Sequence, residues 1–185
     1  MLKPLIVFYV SKPNVYSFAK LLSIIEHNSE VLAHYDIITL RSSLYKAKPS
    51  TLHHYKISER PFVILPVSLM SAQNSDFIYF VSKKLTDFKR LNPNLIILVG
   101  GWNASGDPEG TLKMGADYVI TGEAENAFPE FLLNFIKNPI HLPKIFSNKD
   151  PVDLEQYPPF SEKFRVFCPI EISRGCPFRC KFCQT

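Results

Sequence analysis

Apolar residues in this chain come in short unbroken runs that alternate with stretches of helical spacing. Residues 5–10, Leu-Ile-Val-Phe-Tyr-Val, read as a strand buried on both faces, as in a parallel sheet. Ser11-Lys12-Pro13-Asn14 then turns the chain, with Asn14 placed to cap a helix. Val15, Phe18, Leu22 and Ile25 recur at helical spacing, which predicts a first helix over 15–27. A second strand is expected over 35–40. Residues 41–60 carry a poor pattern with room for one short helix. Their adjacent His53 and His54 point in different directions on any regular element and are expected to be solvated.

The same alternation continues. Residues 62–67 predict a third strand, whose Pro66 should end or bulge the pairing. Phe77, Phe80, Val81, Leu85 and Phe88 mark a helix capped by Ser75 or Asp76. Residues 95–99 form a fourth strand running into Gly100-Gly101. Asp107-Pro108-Glu109 is a helix start, with cap, proline and first-turn acid in order, and Gly115 closes that short helix. Residues 118–120 give a fifth strand, ending at Gly122-Glu123. Phe128, Phe131, Leu132, Phe135 and Ile136 define the last helix.

Strands and helices alternating at about thirty residues per unit predict an α/β fold, a doubly wound five-stranded parallel sheet. The expected strand order is the flavodoxin-like (Rossmann-like) 2-1-3-4-5, with helices on both faces. Residues 139–165, with five prolines and an extended piece near 144–147, read as a linker. The chain has 185 residues, 46% of them hydrophobic, enough for a sizeable core. A net charge of +4 without a dense basic run argues against a nucleic-acid partner. No apolar stretch is long enough to span a membrane, and the opening residues lead straight into a strand rather than a targeting segment. The expected compartment is the reducing cytoplasm.

Two places carry candidate chemistry. In open α/β sheets ligands bind outside the carboxyl ends of the strands, where strand order reverses. Here that means loops 11–14 and 68–73, flanked by Gly100-Gly101 and Gly122-Glu123. The paired glycines either admit a flat ligand to the backbone or merely permit a tight turn. The second place is Cys176, Cys180 and Cys183, spaced C-x3-C-x2-C behind the strand-like run 167–172. Iron–sulfur clusters select thiolate ligands, and three ligands on a four-iron cluster leave one iron open. Zinc held by four thiolates, Cys168 included, is the competing reading. Were 167–173 a strand at ~3.3 Å per residue, Cys168 would stand roughly 25 Å from Cys176, outside the set, as a small buried hydrophobe.

The cysteine spacing, with Phe182 before the third cysteine, resembles the signature of the radical S-adenosylmethionine enzymes. That resemblance implies a [4Fe-4S] cluster on Cys176, Cys180 and Cys183 whose open iron chelates S-adenosylmethionine, with Phe182 beside the cofactor. Ser68, Gly100-Gly101 and the run Gly115-Ala116-Asp117-Tyr118-Val119-Ile120-Thr121-Gly122-Glu123-Ala124-Glu125 resemble the cobalamin-binding domain that precedes many such barrels. In that family the serine and glycines line the slot for the nucleotide tail of cobalamin, and the Gly-Glu turn closes it. The resemblance divides the chain into a cobalamin-type domain (1–138), a linker (139–165) and the start of a radical S-adenosylmethionine domain (166–185).

Two departures stand out. Cobalamin domains of the methionine synthase and mutase type carry Asp-x-His-x-x-Gly after the first strand, where this chain has Ser11-Lys12-Pro13-Asn14. Bound cobalamin would lack a histidine from that loop. Related domains often carry Pro-His after the glycine pair, where this chain has Trp102-Asn103. The indole either walls the slot or joins the core. A barrel needs further strand–helix units to close its sheet. The remainder is therefore expected in cis or from another chain, and no catalysis is expected of these residues alone. The contrasting expectation is a non-catalytic α/β ligand-binding module with a zinc-binding cysteine tail.

Overall fold

A computed structural model describes residues 2–70, 75–147, 152–153, 155–172, 178 and 180. Six parallel strands make one sheet in the order β2-β1-β3-β4-β5-β6. They are β1 (Leu5–Tyr9), β2 (Asp36–Leu40), β3 (Val63–Ser68), β4 (Leu95–Gly100), β5 (Tyr118–Thr121) and β6 (Ile145–Ser147). The helices are α1 (Val15–Glu26), α2 (Ser29–His34), α3 (Ser75–Leu91), α4 (Trp102–Gly106), α5 (Pro108–Lys113) and α6 (Ala124–Lys137). The region 41–60 is built on 3₁₀ turns at Pro49–Tyr55 and Ile57–Glu59.

The strand alternation sorts two cores. Leu5, Val7 and Tyr9 face one side with Leu65, Val67, Ile97 and Val99, covered by Val81, Leu85 and Phe88 of α3 and by Leu52. Ile6 and Phe8 face the other with Ile64, Leu98 and Ile120, covered by Phe18 and Leu22 of α1 and by Phe128, Phe131 and Phe135 of α6. Period-2 side chains on strands buried on both faces produce this division directly.

The sheet has six strands, where five were expected. Ile145–Ser147, inside the expected linker, pairs with β5 in parallel, with Val119 opposite Ile145 and Thr121 opposite Ser147. The connection through α6 steps in the same direction as β3→β4 but crosses the opposite face. Its hand is therefore opposite to that of the other crossovers, against the usual rule for parallel strands.

Three smaller differences have local causes. Pro66 neither ends nor bulges the ladder to β4, which runs on to Ser68 opposite Gly100. The ladder to β1 is registered only at Val63 and Ile64, so the missing N–H falls beyond that pairing. Residues 167–172 form no strand and pair with no strand among the described residues, and Ile172 is 97% exposed. No helix among the described residues is long and apolar enough to cross a membrane.

Candidate functional site

The carboxyl ends of β1, β3, β4 and β5 lie side by side, and hydrogen bonds within and between the segments that follow hold them. After β1, Asn14 does not cap α1 through its side chain. Its Oδ1 accepts from the Ser11 N–H at 2.8 Å, and its Nδ2 donates to the Tyr9 carbonyl at 2.9 Å. The amide thus closes the loop upon itself, with Pro13 stiffening it.

At the next two strand ends, Ser68 stands opposite Gly100. Gly100 follows Leu98 of the α1/α6 face by two positions and Ser68 follows Ile64 of that face by four, and the Ser68 hydroxyl lies 3.4 Å from that of Ser17 on α1. Gly101 has φ +107°, and a Cβ placed there would sit 2.7 Å from the Leu69 carbonyl oxygen. Only glycine holds that position without moving the neighbouring backbone. The close approach is used: the Leu69 N–H donates to the Gly100 carbonyl at 2.8 Å, and the Asn103 N–H donates to the Leu69 carbonyl at 3.2 Å. The paired glycines therefore serve a tight turn at Gly101 and leave the Gly100 edge without a side chain.

Ser105 joins two of these turns. Its hydroxyl donates to the Gly101 carbonyl at 3.1 Å and accepts from the Gly122 N–H at 2.9 Å. Nothing in spacing or composition singled out Ser105 or Ser17, because each acts across a turn or between elements. Gly122 has φ +74°, and no described atom comes within 4 Å of where a Cβ would stand, so its outer face is open. Glu123 follows in extended conformation and leads into α6. Asp107 behaves as its sequence predicts, accepting from the Gly110 N–H at 2.9 Å at the start of α5.

Trp102 opens α4 and is 61% exposed, so it is not a core residue. Tyr16 in the first turn of α1 and Met70 after β3 are also exposed, giving this end of the sheet three apolar groups. A separate open groove of about 420 Å3 lies between α3 and α5, lined by Ile78, Tyr79, Lys113 and Met114 among others. It holds none of the candidate cofactor or metal residues, and the strand ends carry the stronger convergence.

The B12 binding domain family matches residues 33–132, a span that contains β2 through most of α6. The chain belongs to the B12-binding domain family. All six sheet-edge residues expected at the site, Ser68, Gly100, Gly101, Trp102, Gly122 and Glu123, fall within the matched span. The bacteriochlorophyllide d C-8(2)-methyltransferase of Chlorobaculum tepidum is 31% identical over 101 residues, covering 48% of this chain and 22% of that protein. The chain thus spans about a fifth of that relative's length.

Among solved structures, the N-terminal domain of a hypothetical protein of Thermotoga maritima is 28% identical, with a TM-score of 0.46, over 75% of this chain and 94% of that one. The isolated REC domain of RcsB from Salmonella enterica serovar Typhimurium is 14% identical, with a TM-score of 0.47, over 80% and 95%.

The cysteine end of this B12-binding-domain chain is described only in part. Cys180 is exposed, while Cys176, Cys183 and Phe182 lie outside the described residues. Cys168 is half-buried, its thiol 3.5 Å from the Pro159 carbonyl. Burial, and then the charge of Glu171, push that thiol above its ordinary range. Among the described residues no group of three His, Cys, Asp or Glu side chains is arranged to hold a metal.

Proposed function

We propose that the chain binds cobalamin at the carboxyl edge of its sheet and forms the front portion of a radical S-adenosylmethionine enzyme. The observation that carries the cobalamin half is the convergence of Ser68, Gly100-Gly101 and Gly122-Glu123 at one sheet edge within the matched B12-binding span. The edge fits a flat macrocycle with a polar tail. No side chain rises from Gly100, the space outside Gly122 is open, and the Ser17 and Ser68 hydroxyls meet at 3.4 Å between α1 and the end of β3. Exposed Trp102, Met70 and Tyr16 supply apolar contact around it.

Each residue has a defined task in this reading. Gly101 and Ser105 hold the strand-end turns so that the backbone stays flat. Ser68 and Ser17 present hydroxyls to the tail, and Trp102 shields the edge from water. None of the five histidines lies in loops 10–14, 69–74 or 101–102, so the cobalt would carry no histidine from these turns. Cys176, Cys180 and Cys183 would hold a [4Fe-4S] cluster, with Phe182 beside the S-adenosylmethionine. The cluster would supply the electron for S-adenosylmethionine cleavage, and cobalamin a cobalt able to carry a methyl group. The partial likeness to a methyltransferase supports methyl transfer as the reaction class. The barrel that would hold substrate comes in cis or in trans.

Anaerobic iron–sulfur reconstitution with and without hydroxocobalamin tests both halves. About four irons per chain and retained corrinoid are the expected result. Iron without corrinoid would remove the cobalamin half. Zinc with no iron uptake would replace the cluster by a structural metal site.

A further inference from the structure

The segment expected to be a linker and barrel start returns to the sheet. β6 and β2 lie at opposite edges, five strand spacings or about 24 Å apart. Past β6 the chain nonetheless reappears beside α1 and β2. Lys20 on α1 donates to the Tyr157 carbonyl at 2.9 Å, and Arg41, just after β2, donates to the Arg165 carbonyl. Ser161 and Val166 close a tight turn by exchanging backbone hydrogen bonds of 3.1 and 2.9 Å. Val166 is fully buried in the α1/α6 core, with Phe160 and Phe164 packed against it.

Glu26, the last residue of α1, has a side chain only 9% exposed. A carboxylate there is opposed twice, by the negative end of the helix and by its loss of water. Its hydrogen-bond donors among the described residues all come from the returning segment. The Ser161 hydroxyl donates at 2.6 Å, the Lys163 N–H at 2.9 Å and the Glu162 N–H at 3.4 Å. His27 Nδ1 stays 3.9 Å from the carboxylate and lies 2.8 Å from the Ser23 carbonyl instead. An anion so placed is stabilised only while those charge-assisted bonds exist.

We propose that Glu26 is a positioning residue, whose carboxylate clasps residues 160–166 to α1 and so makes the chain leave the sheet at the β2 edge. The clasp turns an apparent linker into a fixed strap, and it sets the point from which the cysteine-bearing end of the chain continues.

Hydrogen exchange on the 185-residue chain tests this with Glu26→Ala, Glu26→Gln and Ser161→Ala. In Glu26→Ala the amides of 161–166 should exchange roughly tenfold faster or more, while those of β1, β3 and β4 keep wild-type rates. Glu26→Gln keeps an acceptor and should restore part of the protection. Ser161→Ala should give a smaller, equally local rise, and it reports on the clasp even if the Glu26 variants unfold. Unchanged strap exchange in Glu26→Ala, or a rise in Ser161→Ala shared equally by strap and strands, overturns the proposal.

Discussion

The two faces of this sheet are built from different materials. On the α1/α6 face, aromatic rings meet in two clusters. Phe8 meets Phe18 and Phe128 at centroid distances of 5.1 and 6.1 Å, and Phe131 meets Tyr118, Phe135 and Phe146 at 5.2, 5.5 and 5.8 Å. The α3 face is largely aliphatic, with Tyr9 and Phe88 its buried aromatics, and irregular turns close part of it. Rings locked edge to face have few alternative packings, whereas aliphatic side chains repack more readily. The Ser17 and Ser68 hydroxyls and the Glu26 strap lie on the aromatic side, whereas Leu69 and Ala104, beside Gly101, belong to the aliphatic core.

Truncating one side chain on each face probes this contrast most strongly. Phe131→Ala should cost about 3–5 kcal/mol, since the ring touches three aromatic neighbours and the cavity cannot collapse around rigid rings. Leu85→Ala on the α3 face should fall near the lower end of the Leu→Ala range, about 2–3 kcal/mol. Urea unfolding monitored by circular dichroism measures both. Equal losses would mean that the faces do not differ in stiffness.

Gly101→Ala disturbs the slot through the Leu69 backbone, at the rim of the α3-face core. The positive φ alone costs about 1–3 kcal/mol, and the contact with the Leu69 carbonyl forces that backbone to move, for a total of roughly 3 kcal/mol. The β3 and β4 turns are bonded to each other at this point. The variant should therefore also lose retained corrinoid after reconstitution, while Gly115→Ala, with a similar φ but away from the strand ends, should keep it.

How far the sequence could be read follows the same physics. Unbroken apolar strands and periodic helices declare themselves locally, so β1 to β5, their order and the Asp107 cap were legible. Strand β6 showed as an extended piece near 144–147, but it is three residues long and reached by a crossover of unusual hand, so its place as a sixth strand was not legible. The short helices α2 and α4 had too few turns to show a period. At the site, Ser68 and the glycines were marked by their places at strand ends. Ser17, Ser105 and the Glu26 clasp were not, because their partners come from other elements, in Glu26's case 135 residues away.

The smallest expected effect near neutral pH separates two buried tyrosines, one per face. On the aromatic face Tyr35 donates its hydroxyl to the Leu132 carbonyl at 2.8 Å. On the aliphatic face the Tyr9 hydroxyl is buried with no partner among the described residues. Tyr35→Phe should therefore cost about 1 kcal/mol, and Tyr9→Phe should be neutral or slightly stabilising. Alkaline pH enlarges the second effect. Burial, then the charge of Tyr55, push Tyr9 from 10.0 up to about 12, so the folded chain holds a proton that the unfolded chain releases first. Stability from this group is intact below pH 10.0 and is lost as pH climbs toward about 12, by an amount on the order of 2–3 kcal/mol. Tyr9→Phe lacks that loss, so its advantage over the wild type should widen across this window. Parallel unfolding curves for the two proteins through the window would show that the Tyr9 hydroxyl has a solvent path, and that the aliphatic face is looser than its burial suggests.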